Sequence, residues 1–135
     1  MPDSVTLQIN SRIDGKEIRQ SFSAERYRKG DSFYFRYRET DPAMGRTATI
    51  LKVAPGEIRI LRHGDVESEQ TFVPDGRRNG FYQTPQGLLE LGTETRELAV
   101  RLVNGTGTVS WSYDLFVSGE PSGTCRLEIT VTEGA

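Results

Sequence analysis

The sequence predicts an all-β protein, an antiparallel meander of about eight to ten short strands that closes into a barrel. Three observations predict it. Apolar and polar residues alternate with a period of two through most of the chain, as strands with one buried and one wet face require. Short Gly, Pro, Asn and Asp segments interrupt the alternation at intervals too brief for helical crossovers. Nowhere does the apolar spacing of an amphipathic helix run on convincingly. A meander of this many strands must hide its two edges, and closing on itself removes them.

Val5, Leu7, Ile9 and Ile13 alternate with polar residues up to Asp14-Gly15, a pair that accepts two positive φ angles and so closes a tight hairpin. The return strand carries Ile18, Phe22 and, less regularly, Tyr27. Gly30-Asp31 turns into Ser32 to Arg38, with Phe33, Phe35 and Tyr37 on one face and Arg36 and Arg38 on the other. Asp41 to Gly45 is a turn, and Thr47 to Val53 is a β-branched strand closed by Ala54-Pro55-Gly56. Ile58 to Arg62 and the tight Gly64-Asp65 lead into a strand from Val66 to Val73.

The longest irregular segment is expected from Pro74 to Gly80; within it Arg77 and Arg78 are the arginines best placed to meet an anion. Phe81 to Thr84 and the turn Pro85-Gln86-Gly87 open a strand at Leu88 to Leu91. Apolar parity then shifts from Leu89 and Leu91 to Leu98, Val100 and Leu102, which predicts a bulge or bend between Gly92 and Arg96. Asn104 to Gly107 turns into the cleanest run, Val109, Trp111, Tyr113, Leu115 and Val117. After a break at Ser118 to Gly123, Cys125, Leu127, Ile129 and Val131 close the fold.

The 135 residues suit one domain, residues 1–135, with no linker, repeat or low-complexity tract. Seventeen Lys and Arg balance 19 Asp and Glu, so no basic field points at nucleic acid or an anionic membrane. Arg26, Arg28 and Lys29 are the densest basic group and are expected on a solvated strand face. The chain opens without the pattern of a secretory signal, and no stretch nears the ~18 apolar residues of a membrane helix. The lone Cys125 sits on a buried register and can form no internal disulfide, so a cytoplasmic setting is expected.

The chemistry-bearing residues are sparse. One His and one Cys offer no close pair of zinc ligands, so no metal and no cofactor is expected. His63 reads as an exposed turn residue. There is no Gly-x-Ser-x-Gly elbow to present a nucleophile. Asp114 and Glu128 lie on polar registers of neighbouring strands, where outward-facing acids on a barrel wall are the simpler account of them. The expectation is therefore a non-enzyme with no catalytic residues.

The aromatic residues remain. Phe35, Tyr37, Trp111 and Tyr113 share inward registers, with Phe33, and Tyr82 can join them. Aromatic bodies with polar tips inside a barrel can hold a small apolar or amphipathic molecule and orient it by one or two hydrogen bonds. The competing account is that these side chains simply fill the core. It makes the protein a non-enzymatic interaction or structural module, able to pair through an exposed strand as a homodimer.

Thr84-Pro85-Gln86-Gly87-Leu88-Leu89-Glu90-Leu91, then Thr95, Gly107, Tyr113-Asp114-Leu115 and Leu127-Glu128-Ile129, resemble the YwiB-like family of small Firmicute proteins. Phe33 to Tyr37, Ile58 to Gly64 and Phe72-Val73 agree in layout, so the resemblance covers nearly the whole chain. It implies a calycin-like barrel related to lipocalins and fatty-acid-binding proteins. The family, a domain of unknown function, implies no catalytic residues.

Overall fold

Tight turns fix where each strand stops and the next begins. Asp14-Gly15 has φ of 49° and 84°, Asn104-Gly105 53° and 78°, and Ser118-Gly119 50° and 83°. These paired left-handed conformations match the twist of the strands they join. A computed structural model describes residues 3–74 and 76–134. Ten strands run in order: β1 (Asp3–Ile13), β2 (Lys16–Lys29), β3 (Ser32–Arg38), β4 (Thr47–Ala54), β5 (Glu57–Gly64), β6 (Glu67–Phe72), β7 (Arg77–Thr84), β8 (Gly87–Val103), β9 (Thr106–Val117) and β10 (Glu120–Glu133). Each pairs antiparallel with its sequence neighbours, and β1 pairs with β10 to close the barrel. The one helical segment among the described residues is a 3-10 turn, Pro42–Met44, capped by the Asp41 carboxylate on the Ala43 amide at 2.9 Å.

The upper rim carries the turns at Asp14-Gly15, 39–46, Asp65-Val66, Pro85-Gln86 and Ser118-Gly119. The lower rim carries the start of β1, the end of β10 and the turns at Gly30-Asp31, Pro55-Gly56 and Asn104-Gly105. Inward residues fill the centre. Trp111 has no exposed surface and packs on Phe72 with ring centroids 5.3 Å apart. Phe72 meets Tyr113 at 4.6 Å, and Phe22 meets Tyr37 at 4.4 Å. Val5, Leu7, Leu51, Val53, Ile58, Val109, Ile129 and Val131 complete this core. The expected parity shift is a register shift between Thr95 and Glu97, after which Leu98, Val100 and Leu102 face inward.

Several details depart from the sequence reading. The irregular segment is shorter than Pro74 to Gly80, because β7 starts at Arg77, where pairing to β8 begins. Arg77 is thus a strand residue, its guanidinium 4.0 Å from the Phe116 ring centre on the outer wall. The break at Ser118 to Gly123 narrows to a two-residue turn followed by a bulge between Pro121 and Gly123. Tyr27 faces outward and donates to Glu25 at 2.8 Å.

Arg26 is the larger correction, since it is 9% exposed and points inward below Phe22 and Ala24. Its guanidinium closes the lower rim. It donates to the Gly105 carbonyl at 3.1 Å, Thr106 Oγ1 at 3.3 Å, Glu133 Oε1 at 3.0 Å and Asp3 Oδ2 at 3.1 Å. Four acceptors from both chain ends and the β8–β9 turn satisfy a fork that burial alone would disfavour.

The wall is uneven in two places. β6 pairs with β7 only from Glu67 to Glu69, and beyond Gly80 the start of β7 swings outward. Thr93 of β8 then reaches past it, donating from Oγ1 to the Thr71 carbonyl of β6 at 2.7 Å. β2 pairs with β3 only from Glu25 to Lys29, so the upper half of β2 parts from its neighbour along a seam.

Candidate binding site at the polar end of the barrel

The interior changes character toward the upper rim. Register places Tyr37, Thr49, Arg62 and Ser68 side by side on the inner faces of β3 to β6. Cys125, Tyr113 and Thr95 form a second inward row across β10, β9 and β8. Gln70, opposite Ile60 and two residues on from Ser68 along β6, continues the inward register of the first row. The centre of the barrel below this level is apolar, down to Arg26 at the lower rim, and at this level most inward side chains are polar.

Glu39, just past β3, turns its side chain inward so that 6% of it is exposed. Its Oε2 accepts from Thr49 Oγ1 at 2.5 Å and lies 3.6 Å from Arg62 Nε, an ion pair at the top of the barrel. Beside them is a cavity of about 60 Å³, lined by Gln20, Tyr37, Glu39, Arg62 and the apolar Ile9, Leu51, Ile60, Leu127 and Ile129. Tyr37 also borders a groove of about 490 Å³ on the outer side of the β2–β3 seam, with Ser21, Ser23, Arg38 and Thr40. Cavity and groove therefore meet across one side chain. A larger depression, about 660 Å³, lies elsewhere, on the outer wall of β7 and β8, lined in part by Gly80 and Gly92. It is open, and the buried polar rows lie inside the wall, so the interior cavity is the better candidate.

Among the described residues four buried side-chain atoms lack a hydrogen-bond partner: Arg62 Nε, Ser68 Oγ, Thr95 Oγ1 and Trp111 Nε1. Three belong to the two polar rows. Burial raises the Tyr37 hydroxyl pKa, with the Glu39 charge adding to it and Arg62 opposing. Burial does the same for Tyr113, helped by Cys125. Both hydroxyls are neutral hydrogen-bonding groups at ordinary pH. Burial also pushes the Cys125 thiol up, so it is a poor nucleophile.

The aromatic residues read from sequence divide accordingly. Phe35 and Trp111 are fully buried in the filled centre, while Tyr37 and Tyr113 belong to the polar rows. Tyr82 is half-buried at the rim, its hydroxyl 3.5 Å from Met44 Sδ. Arg62, Glu39, Thr49, Ser68 and Gln70 were not singled out as site residues by the sequence, and Thr95 entered only through the family resemblance. One signal was available: Arg62 continues the parity of Ile58 and Ile60, a charge on an otherwise apolar register. Arg26 repeats it after Phe22 and Ala24.

Asp114 does not approach Glu128; it pairs with Arg96 at 2.7 Å, while Glu128 stands opposite Ser110. His63 is exposed and lies 2.9 Å from Glu67 Oε1. Among the described residues no three His, Cys, Asp or Glu side chains are grouped to hold a metal. Nor, among them, is any helix long and apolar enough to cross a membrane.

Comparison with known proteins accounts for the architecture. Residues 4–129 match the profile of DUF1934, a domain of unknown function. The chain belongs to the DUF1934 family. A relative in Bacillus subtilis (strain 168), the uncharacterized beta-barrel protein YwiB, is 31% identical over 134 residues, covering 96% of this chain and 94% of its own. The crystal structure of ywiB protein from Bacillus subtilis superposes with a TM-score of 0.87 at 30% identity, over 99% of this chain and 94% of that one. The barrel fold is thus shared with a relative whose structure is solved.

Proposed function

We propose that this protein binds a small amphipathic molecule at the polar end of its barrel, without catalysis, in a reducing cytoplasm. The observation that carries the reading is the buried polar row, in which Arg62 Nε is met only by Glu39 at 3.6 Å while Ser68 Oγ and Thr95 Oγ1 have no partner among the described residues. An unsatisfied buried donor or acceptor costs about 1–3 kcal/mol, so a barrel selected for stability alone would fill these positions with apolar side chains. A ligand in the cavity would place a polar head among Arg62, Tyr37 and Gln20 and its apolar part against Ile9, Leu51 and Leu127. The seam at Tyr37 gives a route in.

The cavity of about 60 Å³ has the volume of roughly two waters, against roughly 300–1,000 Å³ for pre-formed small-molecule sites. Uptake therefore requires the Glu39 side chain to swing out and widen the mouth. The same small volume favours a second reading, a non-enzymatic interaction module whose polar interior is satisfied by ordered water.

Native mass spectrometry of protein purified from its own host, with Trp111 emission followed during titration with medium-chain fatty acids and 8-anilinonaphthalene-1-sulfonate, separates the two. Binding predicts a co-purifying mass or an emission change, lost in Arg62→Met. An apo mass and an emission indifferent to every compound would leave the filled module.

A further inference from the structure

We propose that the free upper edge of β2 is a self-complementary interface through which two copies of this chain pair antiparallel, centred on Ile18. Ile13 and Lys16 flank the two-residue turn Asp14-Gly15 and so exchange hydrogen bonds, which turns the even-numbered groups of β2 toward β1. The odd-numbered ones then face β3, in agreement with Lys29 opposite Ser32 across Gly30-Asp31. Pairing with β3 stops at Glu25. Glu17, Arg19, Ser21 and Ser23 thus present main-chain N–H and C=O groups to solvent, and among the described residues no other backbone group bonds to them on that side.

Exposed edges are usually blunted by a proline, a bulge or an inward-pointing charge. Lys16 to Ser23 holds no proline, and its pairing with β1 continues without a register shift. Lys16, Ile18 and Gln20 share the inward register there, with the Lys16 charge at its very end; the apolar member at its middle is Ile18, 47% exposed, beside Ile13 at 45%.

Reading Lys16-Glu17-Ile18-Arg19-Gln20 against itself antiparallel brings Ile18 onto Ile18 of the second copy. The same register places Glu17 opposite the second copy's Arg19, twice by symmetry. Glu17 and Arg19 are the residues with free edge groups, so these two pairs would exchange about four main-chain hydrogen bonds. Ile18 falls on the close, non-hydrogen-bonded pair at the two-fold axis, where side chains pack best. Both copies contribute Ile13 and Ile18, covering four exposed isoleucines in one isologous contact. Within one chain Glu17 already accepts from Arg19 at 2.8 Å and from Arg12 at 3.4 Å, so the charges sit on the outer face where the partner would meet them. The pairing stands whether or not the interior binds a ligand.

Sedimentation velocity over a range of concentrations tests it, with wild type, Glu17→Arg, Arg19→Glu, the double exchange and Ile18→Lys, each checked for a native circular dichroism spectrum. The expected result is a concentration-dependent dimer whose dissociation constant rises roughly tenfold or more in each single charge variant, because like charges then face each other at two symmetric places. The double exchange restores it, and Ile18→Lys abolishes it. Hydrogen exchange on wild type alone should show the amides of Glu17 and Arg19 gaining protection as concentration rises. The proposal is overturned by a monomer at all concentrations, even if the edge accepts an unrelated extended peptide. A dimer indifferent to Ile18→Lys, or a double exchange that fails to rescue, overturns it equally.

Discussion

Trp111 shows what one side chain contributes to this barrel. It is fully buried on the Phe72 ring in the filled centre. Trp111→Ala should cost roughly 3–5 kcal/mol, a large share of the ~5–15 kcal/mol such a domain has available. Urea unfolding measures it, and a loss below about 1 kcal/mol would mean the centre relaxes around the void. The tyrosines give a second residue-level prediction. Burial raises the pKa of Tyr37 and Tyr113, so folding favours their neutral forms. Their contribution is intact below the ordinary tyrosine value of about 10 and is lost as pH rises through the raised values. In an alkaline absorbance titration, two of the five tyrosines should resist ionisation until the protein unfolds. Five tyrosines ionising together near pH 10 would show that these two hydroxyls are solvated.

At the scale of elements, Gly80 and Arg26 decide the wall. A Cβ at Gly80 would lie 2.0 Å from the Glu69 carbonyl oxygen, where β7 begins to leave β6. Gly80→Ala should therefore destabilise by roughly 1–3 kcal/mol as backbone must shift, and a neutral result would mean that the wall yields freely there. Arg26→Ala should cost about 2 kcal/mol, most of it from the burial and the donor to the Gly105 carbonyl, since Asp3 and Glu133 are largely exposed and screened. Arg26→Lys should recover little, because one ammonium cannot reach acceptors on three elements. Thermal unfolding of both variants checks this. The strands themselves were legible, because alternation and Asp-Gly or Asn-Gly pairs are local signals that tertiary packing reinforces. Arg26 and Arg62 were not, because a charge in an apolar register reads as a lapse in the pattern until distant strands supply its partners. The candidate site was half legible for the same reason: Tyr37 and Tyr113 follow from parity, whereas Glu39 enters the interior through a loop, where parity says nothing.

Across the whole molecule, surface carboxylates set the response to acid. The Arg19 hydrogen bond lowers the pKa of Glu17, the Gly64 amide that of Glu67, Arg96 that of Asp114, and the Thr106 hydroxyl and then Arg26 that of Glu133. Depressed values mean contributions present above the ordinary carboxylate range and lost as pH falls through the lowered ones. The urea midpoint should therefore hold from pH 7 to about 5 and fall progressively below about 4.5; a midpoint unchanged at about pH 3 would show that the unfolded chain keeps the same pairs. β1 and β10 pair along their length, and the Gly134 amide donates to the Ser4 carbonyl at 3.0 Å. The backbone is nearly a ring, and its point of interruption is arbitrary as far as packing goes. Joining the ends through a short glycine linker and cutting instead at the exposed Pro55-Gly56 turn should give a circular permutant with the same barrel and nearly the same melting temperature. Its folding kinetics should differ, because β1 and β10 would become sequence neighbours while β4 and β5 became the pair that must find each other last.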